Sequence, residues 1–218
     1  MISFLIPVGG GNPTRDRAAD FVIRRLCLQF PNDEVCVGTN SDEPFNRSKA
    51  RNDAFRQATG DVLVVCDSDT ILPEKQIRLG ASMLLAGAPW VCPFTRYQPL
   101  DESETEIILK SPPFMEFKEP NRKHANEHRL ASRGVQMLLR SDWEKCGGYD
   151  ERFIGWGGED RAAKQSYRSV LGEPVSIHGY SLHLWHSRNI YDDNNQPFAS
   201  KNFELAGELA KALDRSRR

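Results

Sequence analysis

The 218 residues carry 29 lysines and arginines against 30 aspartates and glutamates, a formal net charge of −1, with 39% hydrophobic and 27% charged residues. That length buries one sizeable core, the composition is that of an ordinary globular protein, and the near-neutral balance gives no bulk electrostatic signal for nucleic acid. The apolar runs fall short of a membrane span, Met1-Ile2-Ser3-Phe4-Leu5-Ile6-Pro7 lacks a basic region, and Cys27, Cys36, Cys66, Cys92 and Cys146 form neither a disulfide framework nor a CxxC pattern, so a soluble cytoplasmic protein of one domain, 1–218, is expected.

Residues 2–6 are an apolar run closed by Pro7, and the turn Gly9-Gly10-Gly11-Asn12 leads to Thr14, the expected N-cap of a helix to about Gln29. Val35-Cys36-Val37 predicts a short strand and residues 46–58 a helix. Asp61-Val62-Leu63-Val64-Val65-Cys66 is continuously apolar after its first residue, which implies burial on both faces, and it stops abruptly at Asp67-Ser68-Asp69. A helix over 74–86 and a strand over 89–94 complete an alternating order, the pattern of an α/β fold with a mainly parallel central sheet flanked by helices. Beyond Phe94 the rhythm breaks. Residues 95–130 are rich in charge and proline, with Ser111-Pro112-Pro113 interrupting any regular element, and read as an insertion or acceptor-side region. A strand over 134–139, a short helix over 142–145, a turn at Gly147-Gly148-Tyr149-Asp150, a helix over 159–171, a short strand near 174–177, a polar loop at 192–197 and a final helix from Ser200 complete the chain, without internal repeats.

Asp67 and Asp69 lie at the carboxyl end of the most apolar strand, the edge where open α/β sheets bind ligands. Two acids so placed suit a hard divalent ion completed by substrate phosphates, Mg²⁺ or Mn²⁺. The same four residues, Asp67-Ser68-Asp69-Thr70, also fit a plain polar turn. His183 and His186 would shift such a site toward Mn²⁺, but residues three apart on a regular strand face opposite sides, so one ligand and two ligands both stay open. Gly155-Trp156-Gly157-Gly158-Glu159-Asp160 sets an aromatic between glycines ahead of two acids at a helix start; helix capping explains the acids but not Trp156.

These residues make the chain resemble the GT-A glycosyltransferases, most closely the β-1,4-galactosyltransferase-like and polypeptide N-acetylgalactosaminyltransferase-like branch. The resemblance is carried in order by Ile6-Pro7, by Phe45-Asn46-Arg47-Ser48-Lys49-Ala50-Arg51-Asn52, by Asp67-Ser68-Asp69 as the DxD motif, by Gly147-Gly148-Tyr149-Asp150 with Gly155-Trp156-Gly157-Gly158-Glu159-Asp160, and by His186-Ser187-Arg188. It implies a Rossmann-like GT-A fold whose half 1–94 binds the nucleotide-sugar and whose half 95–218 binds the acceptor and completes the metal site. It also implies that Asp69 and His186 bind Mn²⁺ or Mg²⁺, with His183 where relatives place a Met ligand, and that Asp67 and Ser68 contact the nucleotide. Pro7, Arg15 or Arg17, Phe45, Arg47 and Lys49 would line the nucleotide as well. Trp156, Gly157 and Gly158 would border sugar and acceptor, with Glu159 and Asp160 at the acceptor hydroxyl and Asp160 as general base. Relatives continue the motif with further acids where this chain has Arg161-Ala162, so acceptor identity, whether glycan, protein or other hydroxyl compound, does not carry over.

The implied reaction is displacement at the anomeric carbon of a UDP-sugar. A single carboxylate base with no second nucleophile implies inversion. A free aspartate, with a pKa of about 3.9, is a weak base, and a helix N-terminus lowers it further, so burial or the like charge of Glu159 is expected to offset that. Two other readings are a sugar-nucleotidyltransferase using the 9–15 loop for a triphosphate, and a non-catalytic carbohydrate-binding domain using Trp156 and Trp185.

Overall fold

β1 (Ile2–Pro7) is buried at all six positions, because its side chains alternate into cores on opposite sides of one sheet. Phe4 and Ile6 pack with Phe21 and Val22 on one side, and Leu5 packs with Leu63, Val65 and Ala54 on the other. The structure, a computed structural model, describes residues 1–121, 134–155, 157–187 and 199–216. Trp156, Arg188, the 192–197 loop and residues 122–130 of the expected acceptor-side region lie outside the described residues.

α1 (Pro13–Gln29) follows β1, then β2 (Glu34–Gly38), α2 (Arg47–Gln57), β3 (Val62–Cys66), β4 (Thr70–Ile71), α3 (Glu74–Leu85) and β5 (Val91–Cys92). β6 (Arg96–Pro99), α4 (Glu102–Lys110), β7 (Val135–Leu139), α5 (Arg140–Cys146), α6 (Glu159–Leu171), β8 (Val175–Ser176), β9 (Tyr180–His183) and α7 (Ala199–Ser216) complete the order. The main sheet runs β2-β1-β3-β7-β5-β8. β1 is parallel to β2 and β3, and β5 to β8, while β7 lies antiparallel between β3 and β5. The expected α/β fold with a mainly parallel sheet is therefore present. The reversed β7 brings its first residue, Val135, opposite Cys66, so the chain entering β7 meets the chain leaving β3 at one sheet edge.

Three expectations change. The N-cap of α1 is Asn12, not Thr14, because the Asn12 carboxamide accepts from the backbone N–H groups of both Thr14 and Arg15, leaving Pro13 at a position where no N–H is needed. The stretch after Phe94 is not irregular throughout. It holds β6 and then α4, whose Asp101 and Glu104 form a reciprocal capping box ahead of the Ser111-Pro112-Pro113 stop. A second sheet, β4-β9-β6, is also present, and its central strand lies in a segment whose sequence shows no strand pattern.

α2 lies close against β2. A Cβ on Gly38 would sit 1.8 Å from the Ala50 carbonyl oxygen, so only glycine permits this approach, which sets the first turns of α2 above the carboxyl ends of β1 and β3.

Candidate active site

At the end of β3 the Asp67 N–H donates to the Gly134 carbonyl at 2.7 Å, and the Thr70 N–H closes back on the Asp67 carbonyl at 3.2 Å. Gly134 has φ +68°, and a Cβ there would lie 2.5 Å from Asp67 Oδ2, so glycine is required on both counts. The turn separates Asp67 from Asp69. Ser68 sits half-buried between them. Asp69 faces β9, because Thr70 pairs with His183 across the small sheet and the Leu184 N–H donates to the Asp69 carbonyl at 2.8 Å.

β9 ends at His183 and the chain then leaves strand geometry, which brings both imidazoles to one carboxylate. His183 Nε2 lies 3.5 Å from Asp69 Oδ1 and His186 Nε2 lies 3.4 Å from Asp69 Oδ2. One donor atom from each of the three residues falls within 4.8 Å of the others. Metal–ligand bonds of about 2.0–2.2 Å place neighbouring donors about 3 Å apart, so this set closes on a small divalent ion with minor adjustment, and its mixed nitrogen and oxygen character suits Mn²⁺ better than Mg²⁺. Burial acts to raise the Asp69 carboxyl, but His183, His186 and Arg15 together hold it well below the usual carboxylate range, leaving an anion ready to ligate.

The beginning of α1 is tied to this end of the site. Besides capping α1, Asn12 donates through Nδ2 to the Ser187 carbonyl at 3.0 Å, and the Ser187 N–H donates to Thr14 Oγ1 at 2.9 Å. Arg15 Nε then lies 3.2 Å from His186 Nδ1. Arg17, two residues on and so on the opposite face of α1, instead forms an ion pair with Glu106 of α4 at 2.7 Å.

The acids at the start of α6 belong to a second, side-chain-built cluster. Asn46 caps α2 and donates to the Glu151 carbonyl at 2.8 Å; Asn52 accepts from the Tyr149 N–H at 3.0 Å and donates to its carbonyl at 2.8 Å. α2 thereby holds the Gly147-Gly148-Tyr149-Asp150 turn. Between them lies Arg51, 1% exposed. Its Nη2 donates to Asp67 Oδ1 at 2.6 Å, while Nη1 faces Asp160 Oδ1 at 3.3 Å and Glu159 Oε1 at 3.7 Å. The guanidinium lies over the Tyr149 ring, 4.6 Å from its centroid, and the Tyr149 hydroxyl reaches Gln136 Oε1 at 2.7 Å and Asp160 Oδ1 at 3.3 Å. Arg47 Nη1 adds a second cation 3.7 Å from Glu159.

The electrostatic division between the two acids differs from expectation. Burial and the charge of Asp160 push Glu159 up. Burial also acts to raise Asp160, but Arg51, Lys164, Arg47 and the Tyr149 hydroxyl hold it below the usual range. The like charge of the pair is thus expressed on Glu159, with a side chain 8% exposed, and not on Asp160, at 27%.

Of the remaining expected residues, Pro7 is buried opposite Gly38, and Phe45 packs its ring into the space a Cβ on Gly9 would take, 2.7 Å away. Lys49 pairs with Asp42 at 3.1 Å. Gly157 and Gly158 lead into α6, and Phe203 of α7 lies 3.4 Å from where a Gly157 Cβ would be. Arg51, Tyr149 and Gln136 received no site role from the sequence. The available signal was the spacing of Arg51 from Arg47, four residues along one helix face.

A family model described as the N-terminal domain of galactosyltransferase matches residues 113–169, which hold the Gly147-to-Asp150 turn and the acids of α6. No curated protein sequence matches the chain. Among solved structures, S. aureus TarS (residues 1–349) is similar with a TM-score of 0.56 at 14% identity, over 97% of this chain and 64% of TarS. The mannosyltransferase PcManGT from Pyrobaculum calidifontis gives 0.52 at 12% identity, over 97% and 73%. Glucosyl-3-phosphoglycerate synthase from Mycobacterium tuberculosis gives 0.51 at 14%, over 100% and 79%. By architecture, then, the chain has the α/β fold of these glycosyltransferases, the GT-A fold.

Proposed function

We propose that the chain is a metal-dependent, inverting glycosyltransferase that moves a sugar from a UDP-sugar to the hydroxyl of a glycan, protein or other acceptor. The observation that carries this reading is the pairing, at one sheet edge, of a three-residue metal-ligand set with a separate pair of acids, joined through Arg51. Two proteins of similar fold support it by what they were solved with: Mn²⁺ and UDP-glucose for the mycobacterial synthase, GDP-Man and Mn²⁺ for the mannosyltransferase.

In this reading Asp69, His183 and His186 hold Mn²⁺ or Mg²⁺, which when bound acts as the Lewis acid for the departing diphosphate. Arg15, fixed at the start of α1, adds positive charge on the same side, and the α1 N-terminus favours anions there. Phe45, Pro7, Arg47, Asp67 and Ser68 line the nucleotide, while Lys49 and Arg17 are engaged with Asp42 and Glu106. Asp160 takes the acceptor proton, being the more accessible member of the pair and the one held below the usual carboxylate range, while Glu159 orients acceptor hydroxyls beside Gly157, Gly158 and Trp156. Residues 1–94 form the donor half and 95–218 the acceptor half. None of the described helices is long and apolar enough to cross a membrane. The buried thiols of Cys36 and Cys66 and the exposed thiol of Cys27, none in a disulfide, support a reducing compartment, the cytoplasm.

The test is a thermal-shift screen of UDP- and GDP-sugars with and without Mn²⁺, since a ligand that binds only the folded state raises its apparent stability. A UDP-sugar shift that requires Mn²⁺ is expected. A shift that instead requires a nucleoside triphosphate and a sugar-1-phosphate would replace this reading with nucleotidyl transfer.

A further inference from the structure

We propose that Arg51 is a positioning residue that couples the two ends of the site, one guanidinium fixing Asp67 on the donor side and Asp160 on the acceptor side so that neither carboxylate shifts independently of the other. What the carboxylates do rests on the glycosyltransferase reading; the coupling rests on geometry.

Arg51 is among the largest fully buried side chains of the protein, and a buried cation is retained poorly for stability alone, because a hydrophobic residue of similar volume serves a core as well or better. Its surroundings are specific to a planar fork. Nη2 is committed to Asp67 at 2.6 Å, Nη1 points between Asp160 and Glu159, and the Tyr149 ring beneath prevents the plane from tipping. An ammonium has no second arm to place.

Nη1 and Nε are buried without a hydrogen-bond partner among the described residues, although Asp160 Oδ1 is only 3.3 Å from Nη1. A shift of a few tenths of an ångström turns that ion pair into a hydrogen bond. The guanidinium thus holds one carboxylate tightly and has a donor in reserve for the other. When Asp67 is drawn toward a donor, Arg51 is released toward Asp160. The other charged or titratable groups facing Asp160 are Arg47 from α2, Lys164, Glu159 and Tyr167 from α6, Tyr149 from the turn after α5, and Asp67 at the end of β3. Arg47 acts on both Asp67 and Asp160 by its charge, and Arg51 lies within 3.3 Å of both.

The test uses the full chain, ¹³C-labelled at aspartate carboxyls, followed by NMR between about pH 4 and pH 7, a window above the ordinary aspartate pKa. In the wild type Asp160 stays ionised throughout. In Arg51→Met it titrates inside the window, a rise of at least about one pH unit. Asp67→Asn shifts the Asp160 carboxyl signal in the wild type and leaves it unmoved in the Arg51→Lys background, where one ammonium serves one acid. A role limited to filling the core moves neither reading. An unchanged Asp160 titration in folded Arg51→Met overturns the proposal. Should that variant fail to melt cooperatively, an Asp67→Asn effect of equal size with and without Arg51→Lys does so. Titration of wild-type protein with UDP and Mn²⁺, run alongside, addresses the transferase reading separately: no binding sinks that reading and leaves the coupling measured.

Discussion

The two ends of the site are built by different means. At the candidate metal end the backbone does most of the placing: β4 pairs with β9 and the Leu184 N–H anchors Asp69, while the side chains of Asn12 and Thr14 only fasten the backbone of Ser187, so the candidate ligand side chains carry few contacts that place their neighbours. At the acid end side chains do the placing. Asn46, Asn52, Arg51, Tyr149 and Gln136 interlock, and Asp160 owes both its position and its ionisation to its neighbours. Loss of a metal ligand is therefore a local event, whereas loss of one member of the acid cluster spreads to the rest and combines non-additively.

The sharpest separation of the two ends comes from Asp160→Asn, which keeps shape but not basicity. Transfer should fall by about 10² to 10⁴, with Mn²⁺ and UDP binding near normal by isothermal titration. Because Asp160 is held below the usual carboxylate range, loss of the base should not limit the metal-saturated wild-type enzyme at any pH above the ordinary aspartate pKa of about 3.9, whatever pH dependence the imidazole ligands impose on Mn²⁺ binding. Near-normal turnover in the variant would leave Asp160 as a helix-start acid alone. Next in size, Asp69→Ala should weaken Mn²⁺-dependent UDP binding by more than about 100-fold, exceeding the roughly 10–100-fold expected for outer contacts of a metal site. Unchanged affinity would reduce the 67–69 segment to a turn.

The histidines test whether the metal end is truly local. Their matched distances from Asp69, 3.5 and 3.4 Å, predict that His183→Ala and His186→Ala weaken Mn²⁺ binding to a similar degree, on the order of tenfold or more each. A loss confined to His186 would remove His183 from the ligand set. Smaller still, Gly134→Ala forces a positive φ and a contact with Asp67, costing about 1–2 kcal/mol in urea unfolding, and it should disturb the acid end through Arg51 more than the metal end. Outside both ends, Glu34 sets a baseline. Burial acts to raise its carboxyl, but donors from Thr59, Ser3 and Cys36 bring it down to about 2. Its contribution is thus present above the unfolded pKa of about 4.3 and is lost as pH falls toward 2; Glu34→Gln should flatten that part of the stability profile by about 1 kcal/mol or less, given solvent screening.

The donor half was readable because its signals are local. The unbroken apolar run of β3, the Gly-rich turn after β1 and the alternation of strand and helix each follow from a few adjacent residues. The small sheet was not, since β4 has only two residues and no periodicity exists at that length; without it, the end of β9 could not be located and the facing of His183 and His186 stayed open. α4 was legible in principle, from Asp101 and Glu104, but its signature is flanked by proline-rich sequence that argues the other way. Arg51 escaped because a buried charge is defined by partners 16 and more than 100 residues away, at Asp67 and Asp160, which no window along the chain contains.

The contact of Asn12 with Ser187 spans 175 positions. It makes the candidate metal end depend on a late part of the sequence: β1 to β3 can pair as soon as residue 66 is available, but the imidazoles arrive only with β9, and closing so long a loop is entropically a late step of folding. During synthesis the candidate ligand set of Asp69, His183 and His186 is therefore assembled late, and on the proposed reading Mn²⁺ binding would report that β9 has docked. A chain stopped before residue 183 should retain the β1–β3 pairing signature in hydrogen exchange yet bind Mn²⁺ no better than an isolated carboxylate.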